Sequence, residues 1–187
     1  MNKNIFVACS AKEDVNFRPT AESIGEMIAI YGNRLLTGGS ADDEQSTMRD
    51  VKRGYERVAR DFLDLHVKRP LSITTTKFMK EFGNSESDEI RIYDSLMDRQ
   101  KDLILTADCT IALCGGLGTM GEIIDAYILN QTKEHKQTLI VFNWDGYWNH
   151  FYDLMENMYL LGKCSKPTKY IHWVESLEEL EEILKEI

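Results

Sequence analysis

Short apolar runs rich in β-branched residues alternate along this chain with longer stretches whose apolar residues recur every three or four positions. That alternation restricts the chain to βαβ units, because a strand buried on both faces reads as a continuous apolar run and a helix laid on a sheet needs one apolar stripe. The strand candidates are Ile5–Cys9, Arg34–Thr37, Leu71–Thr75, Cys109–Leu113, Thr138–Phe142 and Tyr170–Val174. Between them, Ile24, Met27, Ile28 and Tyr31 mark one helix, closed by Gly32 and Asn33. Met48, Val51, Tyr55, Val58, Phe62 and Leu65 mark a second, and Ile90, Tyr93, Met97 and Ile104 a third. A fourth begins at Thr119 and carries Ile123, Ile124, Tyr127 and Ile128, and a fifth covers Trp148–Leu160. At the C-terminus, Ser176 with Glu179 forms a capping-box pattern ahead of the stripe Leu177, Leu180, Ile183, Leu184 and Ile187, which predicts an amphipathic helix over 176–187. The loops Ser40–Ser46 and Lys77–Ser87 are longer than connection demands, and such loops near strand ends often shape a ligand site.

A chain of 187 residues buries about 70% of its unfolded surface in one core and is cramped for two, so a single domain over 1–187 is expected. The 22 Lys and Arg against 31 Asp and Glu leave a net charge of -9. That balance argues against a nucleic-acid or membrane-surface partner, which would need clustered cations, but leaves a small phosphorylated ligand open. Six glutamates and one lysine fall after Val174, so much of the charge is the wet face of the last helix. No stretch approaches the roughly 20 apolar residues of a membrane span. The opening apolar run is short and is followed at once by Lys12, Glu13 and Asp14, so it reads as a first strand and a cytoplasmic location is expected. Cys9, Cys109, Cys114 and Cys164 have neither C-x-x-C spacing nor a matching histidine pair, and they read as plain buried thiols. His66, His135, His150 and His172 share no spacing and are assigned no catalytic role.

The segment with the most chemistry is Cys114-Gly-Gly-Leu-Gly-Thr-Met-Gly-Glu122, between a strand candidate and a helix candidate. Strand, glycine loop, helix is a phosphate-binding order: glycines let backbone N–H groups approach an anion, and the helix N-terminus adds about half a positive charge. No lysine follows the last glycine as in a Walker loop, and the G-x-G-x-x-G spacing of dinucleotide folds is absent. The plainer alternative is a tight turn followed by a Thr119/Glu122 capping box. A second glycine turn, Gly38-Gly39-Ser40, follows the strand candidate Arg34–Thr37, and two such turns at strand C-terminal ends point to one ligand crevice at a topological switch point.

The stretch Ser95-Leu-Met-Asp-Arg-Gln-Lys101, then Asp108, then the glycine loop through Glu122, resembles the LOG ("Lonely guy") family of nucleotide phosphoribohydrolases, once labelled lysine decarboxylases. The family's hallmarks are S-M-H-x-R-K and P-G-G-x-G-T-x-x-E, and Asn143-Trp-Asp-Gly-Tyr147 resembles its N-x-x-G-Y/F segment. Ala8-Cys9-Ser10 stands where the family often has G-S-S, and Gly38-Gly39-Ser40 where it has G-G-G.

The resemblance implies a modified Rossmann-like α/β/α sandwich with a mostly parallel sheet, a homodimer, and cleavage of a nucleoside 5'-monophosphate to free base and ribose 5-phosphate. By motif position, Arg99 and Glu122 match the catalytic pair, and Gly115, Gly116, Gly118 and Thr119 the phosphate loop. Ser10, Gly39, Ser40, Met97 and Asp145 are further candidate substrate contacts, though an Asp-Gly turn explains Asp145 equally well. Breaking a glycosidic bond builds positive charge on the sugar, so a carboxylate beside the ribose suits Glu122, whereas Arg99 suits positioning and electrostatics. Such chemistry needs neither a Lewis acid nor a redox partner, so no metal and no cofactor are expected. Met97 replaces the motif histidine, Gln100 the lysine and Cys114 the proline, and Ser46-Thr-Met-Arg49 stands where the family has G-L-M-G. These departures leave the base open. Two other readings stand beside the hydrolase: a non-enzymatic nucleotide sensor or carrier on the same fold, and a base-exchange enzyme like the nucleoside deoxyribosyltransferases. For the base itself, Phe17, Trp144, Tyr147 and Trp148 are the aromatic candidates, with core packing as their plainer role.

Overall fold

The computed structural model describes residues 2–61, 67–86 and 88–187. Among the described residues, seven parallel strands form one sheet: β1 (Asn4–Ala8), β2 (Arg34–Thr37), β3 (Leu71–Thr75), β4 (Glu89–Tyr93), β5 (Cys109–Ala112), β6 (Thr138–Phe142) and β7 (His172–Val174), in the order β4-β3-β2-β1-β5-β6-β7. The helices between them are α1 (Arg18–Ile30), α2 (Thr47–Asp61), α3 (Thr76–Phe82), α4 (Leu96–Thr106), α5 (Leu117–Thr132), α6 (Asn149–Leu160) and α7 (Leu177–Glu186).

Strand alternation builds two cores, one on each face of the sheet. Ile5 and Val7 of β1 point with Leu35, Ile111 and Ile140 toward α1, α2 and α7, where Ile24, Ile28, Val51, Tyr55, Leu180 and Leu184 cover them. Phe6 and Ala8 point the other way with Leu36, Ile73, Ala112 and Val141, under Leu103, Ile123, Ala126 and Phe151 of α4, α5 and α6. This is the three-layer α/β/α sandwich that the family resemblance implies, and every strand pair is parallel, as the alternation predicts. The C-terminal helix is capped as its sequence predicts: Ser176 Oγ accepts the Glu179 N–H at 3.2 Å.

Three expectations need correction. Ile90 and Tyr93 belong to strand β4, not to a helix, and only Met97 and Ile104 of that supposed stripe lie on α4. The segment read as the loop Lys77–Ser87 opens with α3, whose start is capped by Thr75 Oγ1 accepting the Phe78 N–H at 3.1 Å and whose end is turned by Gly83 at φ 73°. The last strand starts at His172, because Pro167–Lys169 form a 3₁₀ turn ahead of it. Phe62 and Leu65, expected on α2, lie outside the described residues.

The strand order reverses between β1 and β5, which are neighbours with Ala8 opposite Ala112. Beyond that pair the two chains diverge, opening the crevice in which α/β folds bind ligands. The crevice is held at its floor by the Leu113 N–H on Ala8 O at 2.9 Å and the Ser10 N–H on Cys114 O at 3.2 Å.

Candidate functional site

A cleft of about 690 Å³ lies above this switch point, lined by the Cys9–Asp14 segment, Gly38, Thr47, Met48, Phe78, the glycine loop and residues of α4 and α5. Ser10, Arg99, Gly115, Gly116, Gly118, Thr119 and Glu122 all line it. Helix α5 delivers the loop. Its N-cap is Gly116, with no side-chain cap, so Thr119 is the third helical residue and the Thr119/Glu122 capping box does not form. Thr119 instead faces back onto the loop, where a Cβ built on Gly115 would lie 2.1 Å from Thr119 Oγ1. Gly115 is thus required by the approach of its own helix. Gly116 and Gly118 border open space and leave the backbone N–H groups of the helix start accessible. Tyr147 buttresses the loop by donating its hydroxyl to Gly115 O at 2.7 Å.

Helix α4 delivers Arg99. Ser95 caps it by accepting the Asp98 N–H at 3.3 Å, and from the next turn Arg99 reaches under β3, donating Nε–H to Ile73 O at 3.1 Å. Its guanidinium lies 5.7 Å from the centre of the Phe78 ring and 3.9 Å (Nη1) from Glu122 Oε1. Gly38 makes room for it: a Cβ there would lie 2.1 Å from Arg99 Nη2. Arg99 is 9% and Glu122 8% exposed. Burial pushes the Glu122 carboxyl up from 4.5 to about 7, with Arg99 pulling it down and Asp125 pushing it further up. Burial also lowers the Arg99 guanidinium from its ordinary value, against the opposing pull of Glu122. A carboxyl poised near neutrality beside an arginine can stabilise a developing cation or move a proton.

Four other candidate contacts lie outside the lining of this cleft. Gly39, at φ 92°, turns the chain away from it toward Thr74 and Asn84. Ser40 is fully buried, its carbonyl accepting the Ser85 N–H at 3.0 Å. Met97 is 74% exposed and lines a separate groove between α4 and α5 with Leu105 and Ile128. Asp145 adopts the left-handed conformation at φ 50° within the 3₁₀ turn Trp144–Gly146, on the surface, as an Asp-Gly turn does. Of the aromatic candidates, Phe17 packs on Phe142 and Trp144, Trp148 is buried against Phe151, and Tyr147 alone lines the cleft. The Gly38-Gly39-Ser40 turn was expected at the crevice, but its lining residue is Gly38 rather than Gly39 or Ser40. Sequence reasoning missed Phe78 because α3 was read as loop. Burial raises the thiols of Cys9 and Cys114, the latter to about 11, so both rest as unreactive thiols. Among the described residues, no three His, Cys, Asp or Glu side chains gather as a metal site and no helix is long and apolar enough to cross a membrane.

A parallel sheet with a switch-point cleft, a glycine-loop helix N-terminus and a buried arginine–carboxylate pair defines a Rossmann-like α/β protein. The chain belongs to the LOG family: the family model described as "Possible lysine decarboxylase" matches residues 56–187. Among curated relatives it is 25% identical over 146 residues to a probable cytokinin riboside 5'-monophosphate phosphoribohydrolase, LOGL9, of Oryza sativa subsp. japonica, covering 78% of this chain and 60% of that one. It is 28% identical over 167 residues to LOGL5 of the same plant, given the same function, covering 89% of this chain and 64% of that one. The chain thus spans somewhat under two thirds of the length of these relatives. Among solved structures, the molybdenum cofactor carrier protein of Chlamydomonas reinhardtii shares the fold with a TM-score of 0.68 at 16% identity, over 100% of this chain and 98% of that one.

Proposed function

We propose that this protein is an N-glycosidase that hydrolyses a nucleoside 5'-monophosphate to free base and ribose 5-phosphate. The observation that carries the reading is the buried Arg99–Glu122 pair at 3.9 Å beside the open N-terminus of α5. The phosphate sits against the backbone N–H groups from Gly116 onward and the Thr119 hydroxyl, which sets the sugar over Glu122. As the C1'–N bond lengthens, its electrons leave with the base and the ribose becomes cationic. The Glu122 carboxylate stabilises that cation, accepts a proton from the water that adds to C1' and passes it to the departing base nitrogen, which returns the carboxylate to its starting state. Arg99, tied to Ile73 O, keeps the carboxylate in place and lowers its proton affinity. The protein works in the cytoplasm as a homodimer, and the exposed apolar residues Met97, Leu105 and Ile128 between α4 and α5 offer a face for the second copy.

One observation favours a second reading, a nucleotide carrier without turnover: the shared fold with a molybdenum cofactor carrier over the whole chain. Chromatography of the purified protein with a panel of ribo- and deoxyribonucleoside monophosphates and their nucleosides, with and without an acceptor base, separates the readings. The hydrolase releases base from a monophosphate and not from its nucleoside. Ligand-induced thermal stabilisation without release would make it a carrier, and release only with an acceptor base would make it a transferase.

A further inference from the structure

Five charged side chains line the cleft: Lys12, Glu13, Asp14, Arg99 and Glu122. Arg99 and Glu122 face one another. Glu13 pairs with Arg18. Asp14 Oδ1 accepts the N–H groups of Asn16 at 3.1 Å and Phe17 at 3.3 Å, so that carboxylate is spent on the approach to α1. Lys12 makes no ion pair among the described residues, and it is the one cation of the lining left without a carboxylate there.

Its backbone is nevertheless fixed. The Lys12 N–H donates to Ser10 Oγ at 2.9 Å, and Lys12 O accepts both the N–H (3.2 Å) and the Oγ1–H (3.1 Å) of Thr47. The Ser10 N–H in turn donates to Cys114 O at 3.2 Å, which ties this segment to the first residue of the glycine loop. The long side chain of Lys12, an exposed residue of the cleft lining, therefore starts from an anchored point.

A phosphate ester at the α5 N-terminus carries nearly two negative charges, while the helix end offers about half a positive one and Thr119 a neutral hydroxyl. A further cation is needed to favour the dianion over a plain alcohol. Arg99 is committed to Ile73 O and Glu122 below the Phe78 ring, and Gln100 is neutral and donates to Asp125 at 2.7 Å. We infer that Lys12 is the specificity-determining residue for phosphate: its ammonium closes over the phosphate from the wall opposite the α5 N-terminus, so that the cleft takes a sugar phosphate in preference to the free sugar. This rests on the nucleotide reading above and assigns the phosphate selectivity of that site to a residue outside the glycine loop.

The test is calorimetric titration of the whole protein with ribose 5-phosphate and with ribose, for the wild type, Lys12→Met and Lys12→Arg, at low and moderate salt. Lys12→Met is expected to weaken ribose 5-phosphate binding roughly ten- to a hundredfold, to flatten its salt dependence and to spare whatever affinity exists for ribose, with Lys12→Arg restoring most of the loss. The exposed site makes an unchanged melting temperature the expected control. Undiminished ribose 5-phosphate affinity in Lys12→Met, or equal losses for both sugars, overturns the assignment while leaving the site's nucleotide reading intact. A wild type that binds no ribose 5-phosphate at all overturns both.

Discussion

Gln100 donates a 2.7 Å hydrogen bond to Asp125, which stands three residues beyond Glu122 on α5. Because the partner is a neutral amide, the Asp125 charge stays uncompensated among the described residues, and it adds to burial in raising Glu122. The Asp125→Asn substitution removes that charge, and Gln100→Lys offsets it. Both should move the Glu122 titration below about 7 and shift the corresponding limb of any pH–rate profile to lower pH. Carboxyl-carbon NMR of the labelled protein reads the titration directly; an unmoved midpoint would leave burial as the sole cause.

The same carboxyl makes stability depend on pH. With its unfolded value near 4.5 and its folded value near 7, Glu122 is protonated in both states below pH 4.5. Between the two values the folded state holds more protons than the unfolded one, so stability falls as pH rises, and the loss is complete above about pH 7. A shift of this size is worth about 3 kcal/mol at a site this buried. Denaturant unfolding at pH 4.5 and pH 8 should show the wild type losing about that much relative to Glu122→Gln, whose amide does not titrate.

The glycines of the loop should separate by role. Gly115→Ala drives a Cβ into Thr119 and should destabilise the protein by about 1–3 kcal/mol while deforming the loop. Gly116→Ala and Gly118→Ala meet open space, so thermal melts should stay close to wild type even where ribose 5-phosphate binding weakens.

Helices α1 and α2 touch through their backbones. A Cβ on Gly25 would lie 1.8 Å from Val51 O, and one on Gly54 would lie 1.9 Å from Glu22 O. In a free helix, glycine to alanine gains about 1 kcal/mol. Here the sign should reverse, with Gly25→Ala and Gly54→Ala each costing about 1–3 kcal/mol as the helices are pushed apart. A variant that melts at or above the wild-type temperature would contradict the close crossing.

Strands β1, β2, β3, β5 and β6 were legible because their runs are mostly buried on both faces, where apolarity is continuous, whereas the edge strand β7 buries only Val174. Strand β4 was not: Glu89, Ile90, Arg91 and Ile92 are exposed at the sheet edge, and Ile90 and Tyr93 happen to fall at helical spacing from Met97. Helix α3 has seven residues and buries none of them, so it leaves no stripe to read. The glycine loop, Arg99 and Glu122 were readable because local order of strand, turn and helix brings them to one place. Gly39, Ser40 and Asp145 were not separable from true lining residues, since the direction in which a turn leaves the sheet depends on φ at one or two positions. The raised titration of Glu122 comes from burial, a consequence of packing that no local pattern records.

The most direct measurement is base release from the best monophosphate of the panel by Glu122→Gln, paired with calorimetric binding of ribose 5-phosphate to the same variant. A carboxylate that stabilises the sugar cation predicts release reduced about a hundredfold or more with binding retained, because the amide keeps the shape and loses the charge. Release at the wild-type rate would contradict a catalytic Glu122 and, with it, the proposed N-glycosidase mechanism.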